Sequence, residues 1–171
     1  MSESEQIDAA LLDRVKKVHR TFPTGVTIVT TVSEGQPFGL AVNAFSSVSL
    51  SPPMVLACIN ETSSSYPRFF GSRQFGISIL ANDQESVAMR FAKSGGDKFA
   101  GLDWHAGANG VPLIGGAASN LELEIVNMLM AGTHTIFIGK VLSAEISGKA
   151  SLVYSSGGFF DGAQLVPTAG K

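Results

Sequence analysis

Three β-prone apolar runs follow one another closely: Val26–Val32 (VTIVTTV), Phe38–Phe45 (FGLAVNAF) and Met54–Ile59 (MVLACI). β-Branched residues fit a pleated, half-buried surface, and Ser33-Glu34-Gly35-Gln36 is turn chemistry, so the first two runs form an antiparallel hairpin. The third run is apolar throughout, which implies burial on both faces, one of them under a ligand or a second subunit. Phe75–Leu80 (FGISIL) reads as a further strand, Leu121–Val126 (LELEIV) alternates with period two, and His134–Ile146 (HTIFIGKVLSAEI) continues as a long strand. No strand–helix–strand alternation of the parallel-sheet kind appears. The expected fold is mainly β, an antiparallel barrel with a few peripheral helices, and no GxGxxG stands between a strand and a helix, so any nicotinamide nucleotide would have to bind without that fingerprint.

The helices are few. Ile7, Leu11, Val15 and Val18 stand at helical spacing behind a capping-box pattern of Ser2 and Glu5, and Phe22-Pro23 ends that helix. Ser63–Arg73 (SSSYPRFFGSR) holds a short helix ending at Gly71, and Asn82-Asp83 caps a helix running from Gln84 to Ala92. Lys93 to Gly116 is glycine-rich and too long for a passive connector, so it covers or shapes a site. The Gly-Gly pairs at 95–96, 115–116 and 157–158 read as turns.

Composition narrows the function. The 171 residues make a single domain, residues 1–171, with a core over about 15–162, a short N-terminal helix and a flexible C-terminal tail. A net charge of −2 with 15% charged residues excludes the basic stripe of a nucleic-acid binder and an electrostatic membrane anchor. The first residues lack the regions of a secretory signal, and no stretch of about twenty apolar residues is present, so the reading is an unexported, cytoplasmic protein off the membrane. Cys58 is the only cysteine, which excludes an intrachain disulfide and fits an inert buried thiol. Three scattered histidines give no metal-ligand spacing. The low charge and positive mean hydropathy also point to a subunit interface.

The chemistry concentrates between Val42 and Asn60 (VNAFSSVSLSPPMVLACIN), where a small hydroxyl-rich turn lies between two apolar runs and is closed by Pro52-Pro53. Asn43, Ser46, Ser47 and Ser49 offer compact donors and acceptors suited to a phosphate or a polar heteroaromatic ring, although Asn and Ser also gather in turns for conformational reasons alone. His134, at a strand mouth between hydroxyl-bearing Thr133 and Thr135, either contacts a cofactor or donates a proton, or simply bonds a neighbouring carbonyl. His19 reads as a structural partner of the helix dipole, and His105 with Trp104 as loop packing. Arg90 and Lys98 are either surface ion-pair partners or phosphate ligands, and Glu122 and Glu124 read as solvated on one strand face. No GxSxG elbow supports hydrolysis.

Taken together, FPTGVTIVTT, VNAFSSVSLSPPMVLACIN, FGISILANDQ, MRFA, DKFAG and GTHTIFIGKV resemble, in order from Phe22 to about Phe160, the blocks of the short-chain flavin reductases of two-component monooxygenases. The resemblance implies a split antiparallel Greek-key β-barrel that forms a homodimer. It implies NAD(P)H:flavin oxidoreductase activity, with NADH ahead of NADPH and FMN ahead of FAD, and a diffusible reduced flavin passed to a partner monooxygenase. By the same resemblance Asn43, Ala44, Phe45, Ser46 and Ser47 line the flavin, with Thr24, Gly25 and Val26 near its ring. Cys58, Ile59 and Asn60 border the isoalloxazine or ribityl chain, followed by Ser64 and Ser65, while Arg90, Phe91, Lys98 and Phe99 fall on the phosphate side. His134 matches the histidine beside the nicotinamide site, with Thr133 where the family often carries an aspartate. The implied reaction is direct hydride transfer to flavin N5, with donor and acceptor roughly 3–3.5 Å apart. The competing readings are a flavoprotein that retains its flavin and reduces another acceptor, a non-catalytic flavin-binding module, and a ligand-free dimerisation domain.

Overall fold

The structure is a computed structural model that describes residues 8–168. It opens with helix α1 (Ala9–Arg20), capped by Asp8, whose carboxylate accepts a hydrogen bond from the Ala10 amide. Ile7 and the Ser2–Glu5 capping pattern lie outside the described residues. Thr21 closes the helix just before Phe22-Pro23, where proline disfavours a further helical residue. None of the α1 residues is buried, so this amphipathic helix lies on the surface.

The main sheet has seven antiparallel strands in the order β3-β2-β6-β9-β10-β5-β4. In chain order these are β2 (Thr27–Ser33), β3 (Gln36–Val42), β4 (Phe45–Leu50), β5 (Pro53–Asn60), β6 (Gln74–Ile79), β9 (Ser119–Ala131) and β10 (His134–Ile146). The β9–β10 hairpin is inserted between β5 and β6, which are successive strands of this sheet, giving a Greek-key connection. The two outermost strands, β3 and β4, are joined by only Asn43 and Ala44, and the Cys58 amide donates to the Ala44 carbonyl. A sheet whose opposite edges are tied by so short a link must curl until those edges meet. The barrel is therefore split at Asn43–Ala44, where β3 and β4 meet without a ladder.

The hydroxyl-rich segment read as a ligand turn is thus largely strand β4. Its register with β5 pairs Ser46 with Leu56 and Ser47 with Val55, and the chain reverses at Ser51-Pro52, whose peptide is cis. In the single chain one face of β5 lies in the core, and the other, the face expected to meet a ligand or a second subunit, is half exposed. Val55, Ala57 and Ile59 point into the core, whereas Met54, Leu56 and Cys58 alternate with them on the other face and are only half buried. Residues opposite one another share a face, so Asn60 and His134, Cys58 and Ile136, and Leu56 and Ile138 form successive rungs on the outside of the barrel.

Inside, Phe69, Phe75, Ile77, Leu123 and Phe137 are fully buried. Phe69 belongs to α2 (Tyr66–Phe70), which carries Pro67 in its first turn and is capped at its end by Gly71. A second core cluster, including Leu80, Phe91 and Leu152, holds α3 (Glu85–Ala92) against β3. Asn82 and Asp83 do not cap α3: Gln84 stands at the N-cap, Asn82 donates to Asp161, and Asp83 pairs with Lys149. The short strands β1 (Thr24–Gly25), β11 (Leu152–Ser155) and β12 (Gly158–Asp161) form a separate three-stranded sheet, and β7 (Trp104–Ala106) pairs with β8 (Pro112–Ile114). Glu122 is not solvated. It is 2% exposed and accepts hydrogen bonds from both the amide and the side chain of Asn109, fastening the glycine-rich loop to β9.

Candidate functional site

A cavity of about 710 Å³ opens at the seam of the barrel. Thr24, Gly25, Asn43, Ala44, Phe45, Ser46 and Cys58, all expected at a site, line it. The split explains why they converge: Asn43 and Ala44 are the link between the two edge strands, and Cys58 stands on the outward face of β5 beside them. The hydroxyl oxygen of Thr24 is buried and has no hydrogen-bond partner among the described residues. A buried orphan oxygen at a cavity wall is costly unless a ligand or water satisfies it. A Cβ added at Gly25 would meet nothing within 4 Å, so glycine keeps the cavity open and is not demanded by backbone geometry.

The same cavity has a wall that sequence reasoning missed. Val18, His19 and Phe22 of α1 and its exit line it, together with Leu56 and Ile79. The sequence marked Phe22-Pro23 only as a helix stop. The signal was an amphipathic helix whose apolar stripe finds no core in the chain.

A second cavity of about 680 Å³ contains Ser64, Ser65, Lys98 and Phe99. Lys98 is 9% exposed, and its ammonium donates to the carbonyls of Gly39 and Phe91 at 3.3 and 3.1 Å. It forms no ion pair among the described residues, and burial pushes it below the ordinary lysine value. Arg68 and Phe38, which the sequence did not single out, also line this cavity. A third cavity of about 360 Å³ takes in Val26, Ala41, Val42 and again Asn43. The three follow β3 in order: Gln36–Gly39 in the second, Ala41–Asn43 in the third, Asn43–Ser46 at the seam.

The other expected residues stand apart. Ile59 and Phe91 are at 0% and 1% exposure, and their side chains belong to the two core clusters. Arg90 donates to the Ala100 carbonyl at 3.1 Å, tying α3 to the glycine-rich loop. Ser47 lies exposed on β4, and the side-chain Oδ1 of Asn60 accepts from the Thr62 amide and hydroxyl, both at 2.8 Å. His134 lines none of the three cavities. It opens β10 opposite Asn60, two rungs from the Ile136–Cys58 pair's neighbour Leu56, on the same outward face as the seam cavity's wall, and its Nδ1 lies 3.1 Å from the Thr133 hydroxyl. Cys58 is half buried, with a thiol that burial pushes above the usual cysteine range, so little thiolate is present at neutral pH.

Residues 19–163 match the family described as flavin reductase like domain. The chain belongs to that family. An NADH-dependent FAD reductase of Streptomyces globisporus is 38% identical over 162 residues, covering 91% of this chain and 88% of that protein. The solved structure of the NADH:FAD oxidoreductase from Streptomyces globisporus C-1027 superposes with a TM-score of 0.86 at 36% identity, over 98% of this chain and 100% of that one. The reductase component of a flavin-dependent trigonelline monooxygenase from Acinetobacter baylyi is 37% identical over 161 residues, 94% of this chain. The chain spans only 51% of that protein, and 64% of a stachydrine N-demethylase reductase subunit from Rhizobium meliloti to which it is 35% identical. Like these flavin reductase domains, the chain has an antiparallel, mainly β architecture. No described helix is long and apolar enough to cross a membrane.

Proposed function

We propose that this chain is an NADH-dependent flavin reductase that reduces FAD or FMN and releases reduced flavin to a partner monooxygenase. The observation that carries the reading is the family match over residues 19–163, joined to relatives whose names state NADH-dependent FAD reduction and monooxygenase reductase components. We take the chain as one flavin reductase unit working in the cytoplasm.

The residues present fit a flavin. Thr24 holds an unused hydroxyl at the seam, Asn43 and Ser46 add donors and acceptors, and Gly25 and Ala44 leave room for a flat ring. Phe22, Leu56 and Ile79 give the cavity apolar walls against which a flat ring can pack. Ser64 and the ammonium of Lys98 supply donors for a phosphate at the far end of β3. When bound, flavin supplies the hydride acceptor, and the protein supplies orientation. A site built from hydroxyls, backbone and one lysine holds the ring without a covalent tether, which suits a flavin that must leave. Cys58, half buried and poorly ionised, takes no nucleophilic part.

The test is nicotinamide oxidation by purified protein, titrated with free FMN, FAD and riboflavin. Turnover that saturates in added flavin supports the proposal; flavin that stays bound through gel filtration and is never released to an acceptor sinks it. His134→Ala is expected to raise the apparent nicotinamide KM about fivefold, the worth of roughly one hydrogen bond, while flavin affinity stays the same. An unchanged KM removes His134 from the site.

A homodimer is part of the same proposal. Beyond Ile125, β9 has no strand on its β6 side, and Val126, Met128, Leu129 and Met130 are all exposed on the projecting β9–β10 arm. An open strand edge bearing apolar side chains invites a second copy. Light scattering should give twice the chain mass; a monomer at micromolar concentration overturns this part of the reading.

A further inference from the structure

The seam cavity has almost no charge at its wall. Among the described residues that line it, only His19 and Cys58 titrate, and no lysine, arginine, aspartate or glutamate is present. Cys58 carries no positive charge in either protonation state, and burial of its thiol keeps it in the neutral form. His19 is therefore the one group at this wall able to become a cation. It stands exposed on the last turn of α1, and its imidazole makes no hydrogen bond or ion pair among the described residues. The carboxylates of the helix and its cap are engaged elsewhere, Asp8 with Arg14 at 3.7 Å and Asp13 with Lys17 at 2.8 Å. One turn back from His19 stand Val15 and Lys16, and Arg20 follows it. Strand β11, which pairs with the chain leaving α1, adds Tyr154 opposite Thr24.

Charge matters at this wall because of what hydride transfer makes. It adds two electrons and one proton to a neutral ring, so the nicotinamide leaves as a cation and the reduced flavin carries one negative charge until a further proton arrives. The end of α1 works against that charge, since a helix C-terminus presents the negative end of its dipole. We infer that His19 is the residue by which the seam cavity tells reduced flavin from oxidised, its imidazolium compensating the charge that the reduced ring acquires. The inference rests on the flavin reductase reading and on a ring seated at the seam. Solvent screens an exposed side chain, which limits the bias to about fivefold, the worth of a surface charge pair. So small a bias favours the product of hydride transfer without trapping a flavin that must leave.

The test compares the wild type with His19→Gln and His19→Arg, both at an exposed position of α1. Anaerobic titrations give the dissociation constants of oxidised and of chemically reduced FMN for each protein. At neutral pH, His19→Gln is expected to bind oxidised FMN as the wild type does and reduced FMN about fivefold more weakly. The two-electron midpoint potential of bound FMN then falls by about 20 mV. The wild type's advantage over His19→Gln should fade as pH rises through the range in which an imidazole gives up its proton, because the compensating charge is then lost. His19→Arg, whose charge persists, should keep the advantage throughout. Equal affinity for reduced FMN in the wild type and His19→Gln overturns the inference. So does an equal loss for both redox states, which would make His19 a packing residue of the cavity wall. Binding of neither redox state by the wild type overturns the flavin reductase reading instead.

Discussion

Lys98→Met is expected to weaken FMN binding by roughly ten- to a hundredfold while leaving riboflavin, which has no phosphate, almost unaffected. The magnitude follows from the bond at stake. A hydrogen bond to a charged group is worth about 1.5–3 kcal/mol, and each 1.4 kcal/mol is tenfold in affinity. Lys98 has no carboxylate partner among the described residues, and two of its three N–H groups are met by backbone carbonyls, which leaves one for a ligand. The apoprotein should respond in the opposite sense. Because burial holds the folded ammonium below its usual value, its charged form opposes folding at every pH below that folded value, and the penalty fades as pH rises toward the unfolded lysine value. Methionine keeps the volume and removes the charge, so the variant should unfold no earlier than the wild type and should lose this rise in stability between neutral and alkaline pH. Comparing melts across that range with fluorescence titrations of FMN and riboflavin checks both halves. Equal losses for FMN and riboflavin would move Lys98 from the phosphate to the ring.

The contrast between Lys98 and Glu122 shows what a sequence can disclose about such a site. DKFAG carries a lysine that reads as an exposed pair with its neighbour, yet Asp97 turns away to accept the Phe99 and Ala100 amides while Lys98 points inward. LELEIV has a clear strand period, which located β9, but the period says only which side a residue takes. That Glu122 is covered depends on a loop folding back from residues 107–111, a contact set by tertiary structure alone. The barrel itself was legible because β2, β3, β5, β6 and β10 each carry a long β-branched or apolar run. β11 and β12 were not, because four-residue strands are too short to show a period, and only the turn at Gly157, with its φ of 89°, announced itself. β4 was hidden for another reason: serine reads as turn, whereas here the edge of a split barrel tolerates small polar side chains facing a cavity. For the same reason the residues at the seam were found by resemblance and by their chemistry, while Phe22, Leu56 and Arg68, which have no chemical signature of their own, emerged only from the fold.

The largest stability effect is expected in the core, where α2 packs on β10. Phe137 on β10 is fully buried and meets two rings of α2, Phe69 and Phe70, each at a centroid distance of 5.7 Å. Beside it the Tyr66 and Thr135 hydroxyls share a hydrogen bond of 2.8 Å, so α2 is fastened to β10 by one aromatic cluster and one polar clasp. Phe137→Ala removes the cluster's centre and leaves a cavity that rigid strands on either side, β5 and β9, cannot close. Truncations of this kind cost about 3–5 kcal/mol, which for a chain of this size lowers the melting midpoint by on the order of 10 °C. Phe137→Leu, which keeps most of the volume, should lose less than half as much. The effect reaches the site through a short path: Ser64 and Ser65, at the second cavity, immediately precede α2, and the Ser65 hydroxyl donates to the same Gly39 carbonyl that Lys98 meets. A loosened α2 therefore disturbs the phosphate end of the site before the seam, and FMN affinity should fall in Phe137→Ala at temperatures where the protein is still folded, with riboflavin affinity largely retained. Equal retention of both flavins in folded Phe137→Ala would mean that Gly39 and Lys98 hold the second cavity without help from α2.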